Sequence, residues 1–248
     1  MSATLVLDGA VARLTLERPE ALNALNREVA TVLEHALTRL ERSKDTIVVI
    51  VSGRGRAFCA GNDIAEMPTL TPAEARALSR RWQKIMDHFA RLPQVTIAAV
   101  RGYALGGGCM LAAAQDLRIA EEGARFGLPE VTLGFNPSYG IARLLDIMGG
   151  GPARDLLLTG RTVDAAEALR MGLVTRVGPD GALESAAAEL AAGVARHPRG
   201  GLAATKAIVA DIRAGKSGGA AQAYAASLRR DKEARARIAD FVAKRTKG

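Results

Sequence analysis

The chain has 248 residues, 48% of them hydrophobic and 24% charged, with a formal net charge of +8. That balance describes a globular protein with a sizeable core and excludes a disordered, collagen-like or disulfide-stapled chain. It also excludes a uniform nucleic-acid coat, because residues 196–248 hold 13 Lys+Arg against 4 Asp+Glu, whereas residues 1–195 hold 21 against 22.

The N-terminal "MSATLVLDGAVARLTLERPE" alternates apolar and polar residues, which predicts two short strands around Asp8-Gly9 and not a signal peptide. From Arg27, Val29, Val32/Leu33, Ala36/Leu37 and Leu40 recur at helical spacing, with Asn26 placed to cap the first turn. "TIVVIVSG" (46–53) is a continuous apolar run ending in glycine, the pattern of a strand buried on both faces. "TPAE" (71–74) is a capping box with proline at the first helical position, followed by a Leu78–Trp82–Ile85–Phe89–Leu92 stripe. "QVTIAAV" (94–100) predicts the next buried strand, and Arg101 keeps any apolar run below membrane-spanning length. "LRIA" and "ARFG" read as short strands around Glu121-Glu122-Gly123, "DAAEALRMG" as a short capped helix and "GLVTRV" as a final strand. After His197-Pro198 only helical patterns remain, so residues 1–197 form an α/β core and residues 198–248 a helical appendage. No repeat is legible. Cys59 and Cys109 lie in apolar surroundings without metal-ligand spacing, which points to a reducing, cytoplasmic setting.

The chemistry begins at "GYALGGGCMLAAA" (102–114). A buried strand ending in Gly106-Gly107-Gly108 before a helix leaves unpaired N–H groups that can hold an anion or a developing oxyanion. Close strand–helix packing would use the same glycines. The spacing is not that of a dinucleotide fingerprint, and no acidic residue follows at the required distance. A second glycine turn, "GRGRAFCAGNDI" (53–64), follows the preceding buried strand, so two N–H donors can converge on one oxygen.

In order along the chain, "ERPEALNALN", "FCAGNDI", "IAAVRGYALGGGCMLA", "ARFGLPEVTLG" and "LLLTGRTVDAAEALRMGLV" resemble the enoyl-CoA hydratase/isomerase (crotonase) superfamily. The likeness runs from about residue 4 to about residue 178 and returns at "DFVAKR". It implies a spiral of ββα units, a C-terminal helical region that builds a homotrimer or a dimer of trimers, and an acyl-CoA thioester as substrate. It implies no cofactor, no metal and no membrane. By motif position the oxyanion donors are the backbone N–H groups of Asn62 and Gly107, and the acid–base group is Glu130. Met110, Ser138, Ala60 and Ile64 are placed at the substrate pocket. Phe241 and Lys244 are expected to reach the coenzyme A of a neighbouring subunit, although a solvated cationic helix end fits those residues equally well.

The sequence departs from the hydratase pattern at one position. Hydratases of this family carry a second glutamate just after the glycine triplet, and here that position is Met110. A thioether cannot hold or deprotonate water. Where other members place a carboxylate beyond "LG", the chain has Ser138, with Asn136 and Tyr139 nearby. One carboxylate suffices to move a double bond, so enoyl-CoA isomerisation is the expected reaction. Met110, Phe126, Leu128 and Phe135 are candidates for an apolar setting that raises the Glu130 pKa. Hydration of 2-enoyl-CoA is the alternative, with dehalogenase, decarboxylase and hydrolase specialisations open and a non-catalytic RNA-binding or acyl-CoA-binding member further off. His35, His88 and His197 fit solvated or core positions; Asp63 fits a turn cap better than a reacting group, and Glu66 a solvent-facing helix position, with the acyl pocket as its alternative.

Overall fold

The computed structural model describes residues 2–216 and 219–245. Strands β1 (Ala3–Asp8) and β2 (Val11–Leu16) form the antiparallel hairpin expected around Asp8-Gly9. β2 then pairs in parallel with β3 (Val48–Gly53), β3 with β4 (Val95–Val100) and β4 with β6 (Leu117–Glu121), while β9 (Arg176–Gly178) closes the far edge. β5 (Tyr103–Leu105), β7 (Arg125–Gly127) and β8 (Thr162–Asp164) make a separate three-stranded sheet.

Parallel strands need long crossovers, and helices supply them. α1 (Arg27–Arg42) joins β2 to β3, and α2 (Pro72–Arg91) joins β3 to β4. α3 (Gly107–Ala114) lies between β5 and β6. Asn26 Oδ1 accepts from Val29 N–H at 2.9 Å, and Thr71 and Glu74 close the predicted capping box, so both long helices start where the sequence says.

The central strands are buried on both faces, and their period of two separates two cores. Val49, Val51, Ala98 and Val100 join α1, α2 and α3 in the larger one, which takes in Trp82, Ile85 and Phe89. Val48, Ile50, Ile97, Ala99 and Ile119 face the other way onto α7 (Leu183–Ala195) through Leu183, Ala187, Leu190 and Ala191. α7 carries no clear signal in the sequence, because its alanine-rich face gives little contrast between its buried and exposed sides.

The structure contains a repeat that the sequence hides. Each of β3, β4 and β6 runs on into a short extended segment of the second layer and then a helix. The partner segments are residues 57–59, β5 and β7, and Cys59 bridges to Ala104 as β5 pairs with β7. Successive units thus deliver their strand ends and turns to one edge of the molecule. The last unit turns through residues 129–133, then α4 (Ile141–Met148) and α5 (Gly150–Thr159), before β8 and α6 (Ala165–Arg170).

The helical region begins with α8 (Arg199–Arg213), followed by α9 (Gly219–Leu228) and α10 (Lys232–Arg245). α8 docks on the core: Lys206 Nζ is buried, donates to the Gln94 carbonyl at 2.6 Å and pairs with Asp116 Oδ2 at 2.7 Å. Among the described residues no helix is long and apolar enough to cross a membrane.

Without Lys206, Asp116 would keep only the more distant Arg143, at 3.9 Å, as counter-charge, so loss of the buried pair is costly but partly compensated. Lys206→Met is therefore expected to lower unfolding stability by about 2–3 kcal/mol, read as a lower urea midpoint at an unchanged m-value.

Candidate active site

Two loops bring the site together, and each is fixed before any ligand arrives. After β3, the loop through residues 54–62 is stapled by Asn23, which is buried with φ +58°. Its Nδ2 donates to the carbonyls of Arg54 (3.0 Å) and Ala57 (2.8 Å), and its Oδ1 accepts from Arg18 N–H (2.9 Å). Leu25 N–H donates to the Gly61 carbonyl at 2.8 Å, and Asp63 N–H to the Leu25 carbonyl at 2.9 Å. Backbone groups alternate in direction along an extended segment, so the intervening Asn62 N–H points away from Leu25.

The second loop is the glycine triplet, in which each glycine has a separate task. Gly106 has φ +50°, and a Cβ there would stand 2.8 Å from Glu130 Oε1. At Gly108 a Cβ would overlap the Cys59 carbonyl oxygen, so this glycine lets α3 rest on the first loop. A Cβ on Gly107 would overlap the Tyr139 hydroxyl and stand 2.9 Å from Asn62 Oδ1. Gly107 N–H is the first of α3 and has no acceptor one turn back. A Cβ on Gly61 would stand 3.0 Å from the Leu105 carbonyl and 3.6 Å from Gly107 N, a measure of how closely the loops meet. Gly61 and Gly108 serve close packing, whereas Gly107 both meets Tyr139 closely and carries the first N–H of α3.

Asn62, Gly107, Met110, Glu130 and Ser138 line one cavity of about 510 Å³. Met67, Arg76, Arg80, Phe135, Pro137 and Tyr139 complete much of its wall. Glu130 sits on the turn Pro129–Leu133 and is 8% exposed, with Oε2 buried and without a hydrogen-bond partner. Burial raises its pKa above the usual carboxylate value, because no cation offsets the lost hydration. Among the described residues no other Asp or Glu lines this cavity. The Met110 side chain is buried, and its sulfur would lie 2.9 Å from a Cβ on Gly140, so Gly140 makes room for it.

Tyr139 donates its hydroxyl to Asn62 Oδ1 at 2.6 Å, and its ring stacks on Trp82 at 6.3 Å between centroids. This link from Tyr139 to the 54–62 loop crosses 77 residues and has no local signature in the sequence. Asp63 pairs with Arg18 at 2.9 Å and accepts from Ala65 N–H at 3.2 Å, which is structural work. Glu66 pairs with Arg27 at 2.9 Å. Cys59 and Cys109 are free and fully buried thiols, each pushed up to about 12 by desolvation.

Not every residue assigned to the pocket from sequence lies on its wall. Ala60 turns its N–H to the Leu22 carbonyl at 3.0 Å and does not line the cavity, and Ile64 is 68% exposed outside it. They stand two residues either side of Asn62, where regular alternation would keep them on its face, but Gly61 at φ +111° and the turn over 64–66 break that alternation. Phe126 and Leu128 belong to the core, whereas Phe135 is on the cavity wall. Phe241 is exposed on α10; Lys244 lies on the same helix, and its side chain is outside the described residues.

A family model described as enoyl-CoA hydratase/isomerase matches residues 7–240. A probable enoyl-CoA hydratase of Mycobacterium tuberculosis is 48% identical over 175 residues, spanning 69% of this chain and 66% of that protein. A short-chain-enoyl-CoA hydratase of Clostridium acetobutylicum is 40% identical over 186 residues, spanning 74% and 71%. The crystal structure of an enoyl-CoA hydratase from Bacillus anthracis superposes with a TM-score of 0.91 at 31% identity, covering 98% of this chain and 97% of that one. An enoyl-CoA hydratase/carnithine racemase from Magnetospirillum magneticum gives 0.93 at 31% identity, covering 98% and 93%. The chain, with its α/β crotonase fold, therefore belongs to the enoyl-CoA hydratase/isomerase family.

Proposed function

We propose that this chain is an enoyl-CoA isomerase in which Glu130 is the sole acid–base group. The observation that carries this reading is a cavity whose wall, among the described residues, holds one carboxylate, Glu130, with Met110 at the position where the family resemblance places a second. The thioester oxygen accepts from Asn62 N–H and Gly107 N–H. Glu130 removes the α-proton of a 3-enoyl thioester, the negative charge spreads over the dienolate oxygen held by the two amides, and the same carboxyl returns the proton to the γ-carbon. No atom is gained or lost. A carboxyl whose pKa is raised by burial is better matched to this proton transfer than an ordinary one. Losing one oxyanion donor typically costs about 10²–10³ in rate, which sets the weight the two amides carry.

The helical region is assigned to self-association, with Phe241 and Lys244 offered to a neighbouring subunit's coenzyme A. The exposed apolar Ile238, Phe241 and Val242 on α10 support that assignment. Hydration of 2-enoyl-CoA is the second reading, favoured by the names of the mycobacterial and clostridial relatives.

Glu130→Gln is expected to reduce conversion of 3-hexenoyl-CoA to 2-hexenoyl-CoA by about 10³-fold or more, measured by thioester absorbance. Its unfolding midpoint at neutral pH should not fall. The folded-state pKa of Glu130 is raised, so its stabilising contribution is full below the unfolded pKa and lost as pH rises through the folded one; glutamine escapes that loss. For the same reason wild-type kcat/KM should rise with pH through an inflection above the ordinary carboxylate range, since the base must be ionised. A third test separates the two readings: Met110→Glu should raise the ratio of crotonyl-CoA hydration to 3-hexenoyl-CoA isomerisation by about tenfold or more, given the worth of a positioned acid–base group. Wild-type hydration outpacing isomerisation would replace the first reading with the second.

A further inference from the structure

α2 presents two arginines to the active-site cavity. Arg76 and Arg80 lie one helical turn apart, about 6 Å along the axis, and both line the same wall as Glu130, Met110 and Phe135. Neither has an ion pair or hydrogen bond among the described residues. The nearby carboxylates are already committed elsewhere: Asp63 to Arg18, Glu66 to Arg27, and Glu74 to the Thr71 cap. Other arginines of this region do find partners, as Arg81 does with Glu34 at 2.7 Å. Both are exposed residues of the cavity lining, and neither is neutralised by a protein carboxylate, while burial keeps Glu130 from ionising readily.

Apart from Asn62, Gly107, Glu130 and the segment 136–138, the rest of the wall is largely apolar. Met67, Phe135, Pro137 and Met110 supply hydrocarbon and sulfur surface, while Ser79 Oγ donates to the Ser138 carbonyl at 2.9 Å. An apolar stretch bounded by two cations at i and i+4 matches a chain of a few methylenes ending in an anion. Guanidinium groups suit a terminal carboxylate because their N–H groups reach both of its oxygens. A space of about 510 Å³ suits an acyl group and not an entire coenzyme A.

We propose that Arg76 and Arg80 form a subsite for a carboxylate at the far end of the acyl chain, so that the preferred substrates are mono-thioesters of unsaturated dicarboxylic acids. This deepens the isomerase reading and rests on it for the reaction, but not for the binding.

The test compares 3-hexenoyl-CoA with its ω-carboxylated counterpart, 3-hexenedioyl-CoA, in wild type and in the Arg76→Gln/Arg80→Gln double variant. Wild type should favour the carboxylated substrate at least tenfold in kcat/KM at low salt. In the double variant that ratio should fall to about one. The proposal is overturned by a wild-type ratio near one, or by a preference that survives the double substitution. An equal fall for both substrates also overturns it, by placing the guanidinium groups on the phosphates of coenzyme A. If wild type converts neither compound, the isomerase reading fails, and calorimetric titration with hexanoyl-CoA and adipoyl-CoA decides the subsite separately. Adipoyl-CoA binding at least tenfold tighter, with the difference lost in the double variant, supports it; equal binding sinks it.

Discussion

The site depends on a contact between two stretches of backbone. The Cys59 carbonyl occupies the space that any side chain at position 108 would need, and the Leu105 carbonyl limits position 61 in the same way. Side chains normally hold main chains farther apart. Here their absence lets the turn after one parallel strand settle on the turn after the next, so Asn62 and Gly107, 45 residues apart, line one cavity. The parallel sheet makes this possible because β3 and β4 end at the same edge. Asn23 keeps the arrangement in register from a third segment, through hydrogen bonds to two carbonyls of the first loop and one main-chain N–H beside it.

Around this rigid pair the polar groups are divided unequally. Asp63 and Glu66 are each tied to an arginine, and Asn62 Oδ1 to the Tyr139 hydroxyl. Glu130 Oε2 has no such support. A buried acceptor without a partner costs stability, on the order of 1–3 kcal/mol, and it persists here because the turn Pro129–Leu133 and Gly106 fix where the carboxyl lies. Natural folds commonly accept such local instability where reactivity needs it. Met110 sits within the same wall and adds no polar partner, which leaves the carboxyl in apolar company.

Much of this could be read from the residues in order. The alternation of β1 and β2, the unbroken apolar runs of β3 and β4, and the caps at Asn26 and Thr71 are local signals, and the structure follows them. The glycine triplet, "FCAGNDI" and "GLPEV" pointed to Gly107, Asn62 and Glu130 as neighbours, and all three line one cavity. The illegible parts were those decided by distant partners or by weak contrast. α7 has too many alanines for its buried face to stand out, and α4 and α5 begin at glycines without side-chain caps. Ala60 and Ile64 were placed by nearness in sequence, which says little about direction in an extended loop. Asn23 gave no warning of its role, since two of its three partners, the Arg54 and Ala57 carbonyls, come from a segment more than 30 residues away.

Gly106 has a consequence beyond fitting the turn. Because it lacks a side chain, one oxygen of Glu130 can lie against the main chain while the other is shut away from bulk water. On the proposed reaction, a hydrogen taken up by that carboxyl has little opportunity to exchange with solvent before it is handed back. The transfer then stays on a single face of the acyl chain, and an isotope carried on the α-carbon would reappear at the γ-carbon in the product, making the rearrangement suprafacial and largely self-contained.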